Sequence, residues 1–141
     1  MSALTLSDIV TAIRNPQSCI RHPLIREGSV ITYQNRPICF SGNYGAVFKY
    51  QTSNGIKALR VWTKDLDFFP DITQLTKLIS KQISLHRLDC FVHFEYVENG
   101  LLAKGELHPI LIMDWCDGTN LKEFIKNNLG NSSFASCLGD I

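Results

Sequence analysis

Two strand-like runs, residues 46–52 and 56–63, flank the tripeptide Ser53-Asn54-Gly55. Asn-Gly supplies the positive φ angles that a two-residue turn demands, so this segment predicts an antiparallel hairpin. The other elements must be arranged around it. Residues 38–40 read as a short strand just before it. Further upstream, Leu6, Ile9, Val10 and Ile13 recur at helical spacing. Ser7 or Asp8 can cap that helix and Asn15-Pro16 can stop it. Pro16, Pro23 and Pro37 make residues 15–37 an irregular lead-in.

Downstream of the hairpin, residues 65–69 read as a linker. A helix then opens at Pro70-Asp71 and reaches about Arg87, with Ile72, Leu75, Leu78, Ile79 and Ile83 on one side. Residues 91–97 and 101–104 predict two strands about a turn at Asn99-Gly100. Pro109 precedes the most apolar run, residues 110–115, which is expected to be the buried strand. Asn120 can cap a helix through Leu129, ended by Gly130. Antiparallel hairpins with one packed helix make an α+β layer structure. The chain divides into a lead-in (1–37), a central domain (38–129) and a tail (130–141).

The 141 residues are 45% hydrophobic and 19% charged, the balance of one globular domain with a real core. A net charge of +1 gives no bulk case for nucleic acid or an anionic membrane as partner. No run approaches the ~18 apolar residues of a membrane span. The five cysteines include no CxxC, and with four scattered histidines no metal-site spacing forms. An odd cysteine count, behind an N-terminus without a charged lead or long apolar run, predicts reduced thiols and a cytoplasmic protein.

The chemistry concentrates at residues 41–62. Gly42 and Gly45 stand three apart, and a glycine-rich turn lets backbone N–H groups approach phosphate oxygens. Val47 follows at a spacing suited to capping a base. Ala58 and Arg60 share one face of the return strand. A helix, two strands and the run Ile112-Met113-Asp114-Trp115-Cys116-Asp117-Gly118 come next. In this order the chain resembles the N-terminal lobe of a eukaryotic-like serine/threonine protein kinase over residues 38–129. The resemblance implies a five-stranded antiparallel sheet with one packed helix, plus short terminal helices. It implies that Gly42, Asn43, Tyr44, Gly45, Val47, Ala58 and Arg60 contact the sugar, base and phosphates of ATP. Met113 falls at the gatekeeper position. The backbone of Asp114 and Cys116 would hold adenine at the hinge.

The chain departs from that family in several places. Phe40 stands where the first loop glycine belongs. Arg60 replaces the phosphate-holding lysine, with the same charge but a longer, planar, forked head. Lys57 falls on the opposite face of a regular strand and cannot substitute. The following helix has no acid between Ile72 and Leu88, and Lys77, Lys81, His86 and Arg87 make it basic. An active placement of that helix against Arg60 is therefore disfavoured, and docking to an acidic partner is one expectation. Two fragments imitate catalytic motifs: His86-Arg87-Leu88-Asp89 and Asp67-Phe68-Phe69. Both precede the hinge, so neither takes a catalytic role, and the sequence offers no catalytic residue and no metal ligand set.

The functional expectation is a kinase-like module without phosphotransfer of its own, binding a partner or a nucleotide such as ATP. A C-lobe or regulatory protein is one expected partner. A homodimer through the hinge and the apolar strand is another. The alternatives are the ATP-binding half of a split or truncated kinase, and a small fold unrelated to kinases.

Overall fold

The structure is a computed structural model that describes residues 3–65 and 70–130. The elements run α1 (Leu6–Ile13), α2 (Pro16–Cys19), α3 (Pro23–Arg26), β1 (Ser29–Val30), β2 (Thr32–Tyr33), β3 (Arg36–Pro37) and β4 (Cys39–Ser41). They continue through β5 (Gly45–Thr52), β6 (Gly55–Trp62), α4 (Pro70–Leu85), β7 (Phe94–Ala103), β8 (Glu106–Asp114) and α5 (Leu121–Asn128). The protein is α+β, with an antiparallel sheet in the order β1-β5-β6-β8-β7, and β4 also pairs with β5. The sheet has six strands, one more than expected, because β1 of the lead-in joins it. Residues 131–141 of the tail and residues 66–69, including the fragment Asp67-Phe68-Phe69, lie outside the described residues.

The β5–β6 hairpin forms as predicted, in register from Gly45 opposite Trp62 to Thr52 opposite Gly55. Ser53 and Asn54 make the turn, and the positive φ, +100°, belongs to Gly55 alone. The Thr52 hydroxyl closes the turn by donating to the Gly55 carbonyl at 2.8 Å.

Alternation along the hairpin splits the sheet into two faces. Ala46, Phe48, Tyr50, Leu59, Val61, Ile110 and Ile112 share one face, and the lead-in covers it. Ile9 and Ile13 from α1, Ile20 after α2 and Ile25 of α3 all pack into this cluster. The stretch read as irregular is therefore the second layer of the core. The Tyr50 hydroxyl, buried here, donates to the Ile25 carbonyl at 2.7 Å. Burial pushes its pKa up to about 12.

Several predicted details change. The cap of α1 is Thr5, neither Ser7 nor Asp8. Its side chain accepts from the Asp8 N–H while the Asp8 carboxylate accepts from the Thr5 N–H, a capping box. Hydrogen bonds from the Thr5 hydroxyl and then the Thr5 N–H hold the Asp8 carboxyl below its usual range. Gln34 (φ 49°) and Asn35 (φ 64°) turn the small β2–β3 hairpin that the sequence reading missed. No turn forms at Asn99-Gly100. β7 runs straight through as one strand with a bulge between Val97 and Leu101. Pro109, which lacks an N–H, sits opposite that bulge, where the ladder is already interrupted. A Cβ on Gly100 would meet Ile110 Cγ1 at 2.4 Å, so close packing requires the glycine. The real β7–β8 turn is Lys104-Gly105, both in left-handed backbone. Asn120 caps α5 as expected, accepting from the Glu123 N–H.

The largest difference concerns α4. It lies on the other face of the sheet through Ile83, Ile72 and small polar side chains. Ser80 donates to the Phe94 carbonyl at 2.8 Å, Thr73 meets the Tyr96 hydroxyl, and Lys77 pairs with Glu98. At 100° per residue, Leu75, Leu78 and Ile79 fall away from this β7-facing flank. They are 54%, 54% and 43% exposed. The apolar strand is buried as expected: Ile110, Leu111 and Ile112 lie between β6 and β7, so they offer no exposed surface for the dimer expected through this strand. Among the described residues no helix is long and apolar enough to cross a membrane.

Candidate functional site

On the α4-bearing face, register sets the side chains in rows. Phe40 lies across from Val47, Val47 from Arg60 and Arg60 from Leu111. The next row holds Lys49, Ala58, Met113 and Phe94. Trp62, Leu111, Ile72 and Tyr96 close the end under α4 as a small apolar cluster. Away from this cluster, on the β4 side, the same face opens into a cleft.

Here Phe40, Ser41, Gly42, Asn43, Tyr44, Gly45, Val47 and Arg60 line one open cleft of about 310 Å³. Six of the ten residues expected at a nucleotide site thus meet in one cavity: Gly42, Asn43, Tyr44, Gly45, Val47 and Arg60. The two glycines differ in what holds them there. A Cβ on Gly45 would approach the Val61 carbonyl oxygen to 2.6 Å, so strand packing alone demands glycine. A Cβ on Gly42 would meet nothing. Neither has a positive φ, and the Gly42 N–H donates to the Gly45 carbonyl at 2.9 Å, closing the loop on itself.

Arg60 is half-buried, its guanidinium 5.5 Å from the centre of the Trp62 ring. Lys57 points to the other face and pairs with the Asp114 carboxylate, in register across β6 and β8. That pairing anchors the start of the expected hinge, and it removes Lys57 as a substitute for Arg60. Of the remaining expected residues, Ala58 is buried at 6% exposure, Met113 is half-buried, and Asp114 and Cys116 are exposed beyond the cleft's lining.

Two residues missed by sequence reasoning shape this face. The Trp115 N–H donates to the Ile56 carbonyl, continuing the ladder one residue past β8. Its side chain therefore alternates onto the same face as Met113. The ring centre lies 6.1 Å from that of Phe40 at a 33° tilt, with the Lys49 ammonium 5.0 Å from the ring. No local pattern announces this contact, since 75 positions separate Phe40 and Trp115.

Among the described residues no group of three histidine, cysteine or acidic side chains could hold a metal ion. No family model, no curated protein and no solved structure matches the chain.

Proposed function

We propose that this chain is a protein-kinase-like N-lobe module that binds a phosphate-bearing ligand and docks on a protein partner, without phosphotransfer of its own. The observation that carries this reading is the single cleft bringing together Gly42 to Gly45, Val47 and Arg60. The succession of glycine hairpin, return strand, crossing helix, second hairpin and hinge supports the kinase-like part. Against phosphotransfer stands the helix beyond Arg60, whose only acid is Asp71 in its first turn. Phosphoryl transfer depends on a positioned charge pair and metal ligands. The partner part rests on the exposed Leu75, Leu78 and Ile79 of α4, an apolar flank bordered by Lys81.

Thermal unfolding with and without millimolar ATP tests the ligand reading. Ligand that binds only the folded state raises the melting temperature by mass action. A rise is expected in the wild type and not in Arg60→Ala. An unchanged melting temperature at millimolar ATP, with or without magnesium, removes the nucleotide part. Light scattering addresses docking: a second copy would give a dimer that Leu78→Gln dissolves, whereas a separate partner leaves a monomer. The alternative, the ATP-binding half of a split kinase, draws on the same cleft. Co-expression with a catalytic-lobe chain and no phosphate transfer to a protein substrate would remove it.

A further inference from the structure

The cleft has two chemically different ends. One is lined by Gly42, Asn43, Gly45 and the cationic Arg60, whose guanidinium suits a phosphate group. The other, at Phe40 and Val47, is apolar and aromatic, and the same face of the sheet continues past the lining to Ala58 and Met113. A nucleotide would put its phosphates at the first and its base at the second, because an aromatic base gains by stacking and burial. The aromatic surface at that end is already engaged: the Trp115 ring packs against Phe40, with the Lys49 ammonium over it. Ala58, on the same row as Lys49 and Met113, is buried.

We infer that Trp115 is an internal competitor for the base, so that the cleft as folded takes base-free polyphosphate in preference to a nucleotide. The inference rests on the proposed phosphate-binding reading of the cleft, and it assigns the ligand class of that same site. A nucleotide must displace the Trp115 ring from Phe40 and Lys49 before its base can enter. An inorganic polyphosphate meets only the glycine turn and Arg60, and leaves the aromatic pair in place.

The test uses the full chain and two probes, tripolyphosphate and ATP, titrated calorimetrically into wild type and Trp115→Ala. Wild type is expected to bind tripolyphosphate at least as tightly as ATP. Trp115→Ala should leave the tripolyphosphate affinity unchanged and tighten ATP about tenfold, the factor expected for removing one aromatic pair and one cation–π contact. Trp115→Leu, which removes the ring but keeps an apolar side chain, is the second variant should Trp115→Ala fail to fold, and a gain for ATP in the same direction is expected. Weaker ATP binding in Trp115→Ala would make Trp115 a stacking platform and overturn the inference while leaving the proposed function intact. ATP affinity equal in all three proteins would overturn it in the same way. Binding of neither probe to any of them would overturn both this inference and the ligand-binding reading beneath it.

Discussion

The two faces of the sheet are built from the same strands and differ in nearly everything else. On the face under α1, α2 and α3, Phe48, Tyr50, Leu59, Val61 and Ile110 have no measurable exposure. On the opposite face the side chains in the same strands are Val47, Lys49, Ala58, Arg60 and Met113, and α4 packs through Ile72 on a cluster of Trp62, Leu111, Phe94, Tyr96 and Met113. The first face supplies stability. The second carries a cation, an open cleft and exposed aromatic rings, which stability does not require. One β-strand serves both purposes because its side chains alternate, so a single residue shift would exchange them.

The sharpest way to break this comparison is to truncate one residue on each face. Phe48→Ala should cost about 3–5 kcal/mol of unfolding free energy, from lost burial plus the cavity left behind. Urea unfolding measures it. A cost near that of a surface substitution would mean that the lead-in does not seal this face.

A smaller effect comes from His108, buried at the β7–β8 end with its Nε2 3.2 Å from the Ala103 carbonyl oxygen. Burial pushes its pKa below the ordinary 6.5, against the opposing pull of that carbonyl and of Glu106. The folded state therefore holds fewer protons on this group than the unfolded chain does. Its contribution to stability is fully present above pH 6.5. It declines as the pH falls below that value, until the folded imidazole itself protonates. Comparing urea midpoints at mildly acidic and mildly alkaline pH, wild type should lose more on acidification than His108→Gln. Equal losses would place the acid sensitivity elsewhere.

The smallest effect belongs to the exposed flank of α4, the helix that lies on the open side of the sheet. Leu78→Gln on the outer flank of α4 should change stability by less than about 0.5 kcal/mol, as substitutions at exposed positions do. A loss above 1 kcal/mol, roughly the mean for point substitutions, would show that something in the chain covers this flank.

Local chemistry made part of this architecture legible in advance. The β5–β6 hairpin follows from Ser53-Asn54-Gly55 between alternating strands, and α5 from Asn120. The same logic misplaced the next turn. Asn99-Gly100 carries a turn signature, but that glycine is needed to admit Ile110, and Lys104-Gly105 turns the chain. For α4, periodicity located an apolar stripe without saying which element would meet it, and most of the stripe faces outward. At the candidate site the glycine turn, Val47 and Arg60 could be read because they lie within 20 residues of each other. The Phe40–Trp115 pair could not, since it depends on the register of four strands.

The bulge at Glu98 to Gly100 has a consequence for how copies of this chain can meet. β7 is an edge of the sheet, and an unbroken edge is a template on which further strands can add without limit. Here the edge is interrupted, and the lead-in clamps onto the interruption. The Arg21 N–H donates to the Gly100 carbonyl at 2.9 Å, and Ile20 bridges to Leu101. The opposite edge is shared by the two-residue β1 and the three-residue β4, both paired to β5. Strand-by-strand growth into fibrils is thereby blunted at both ends of the sheet, and assembly is left to surfaces that can saturate.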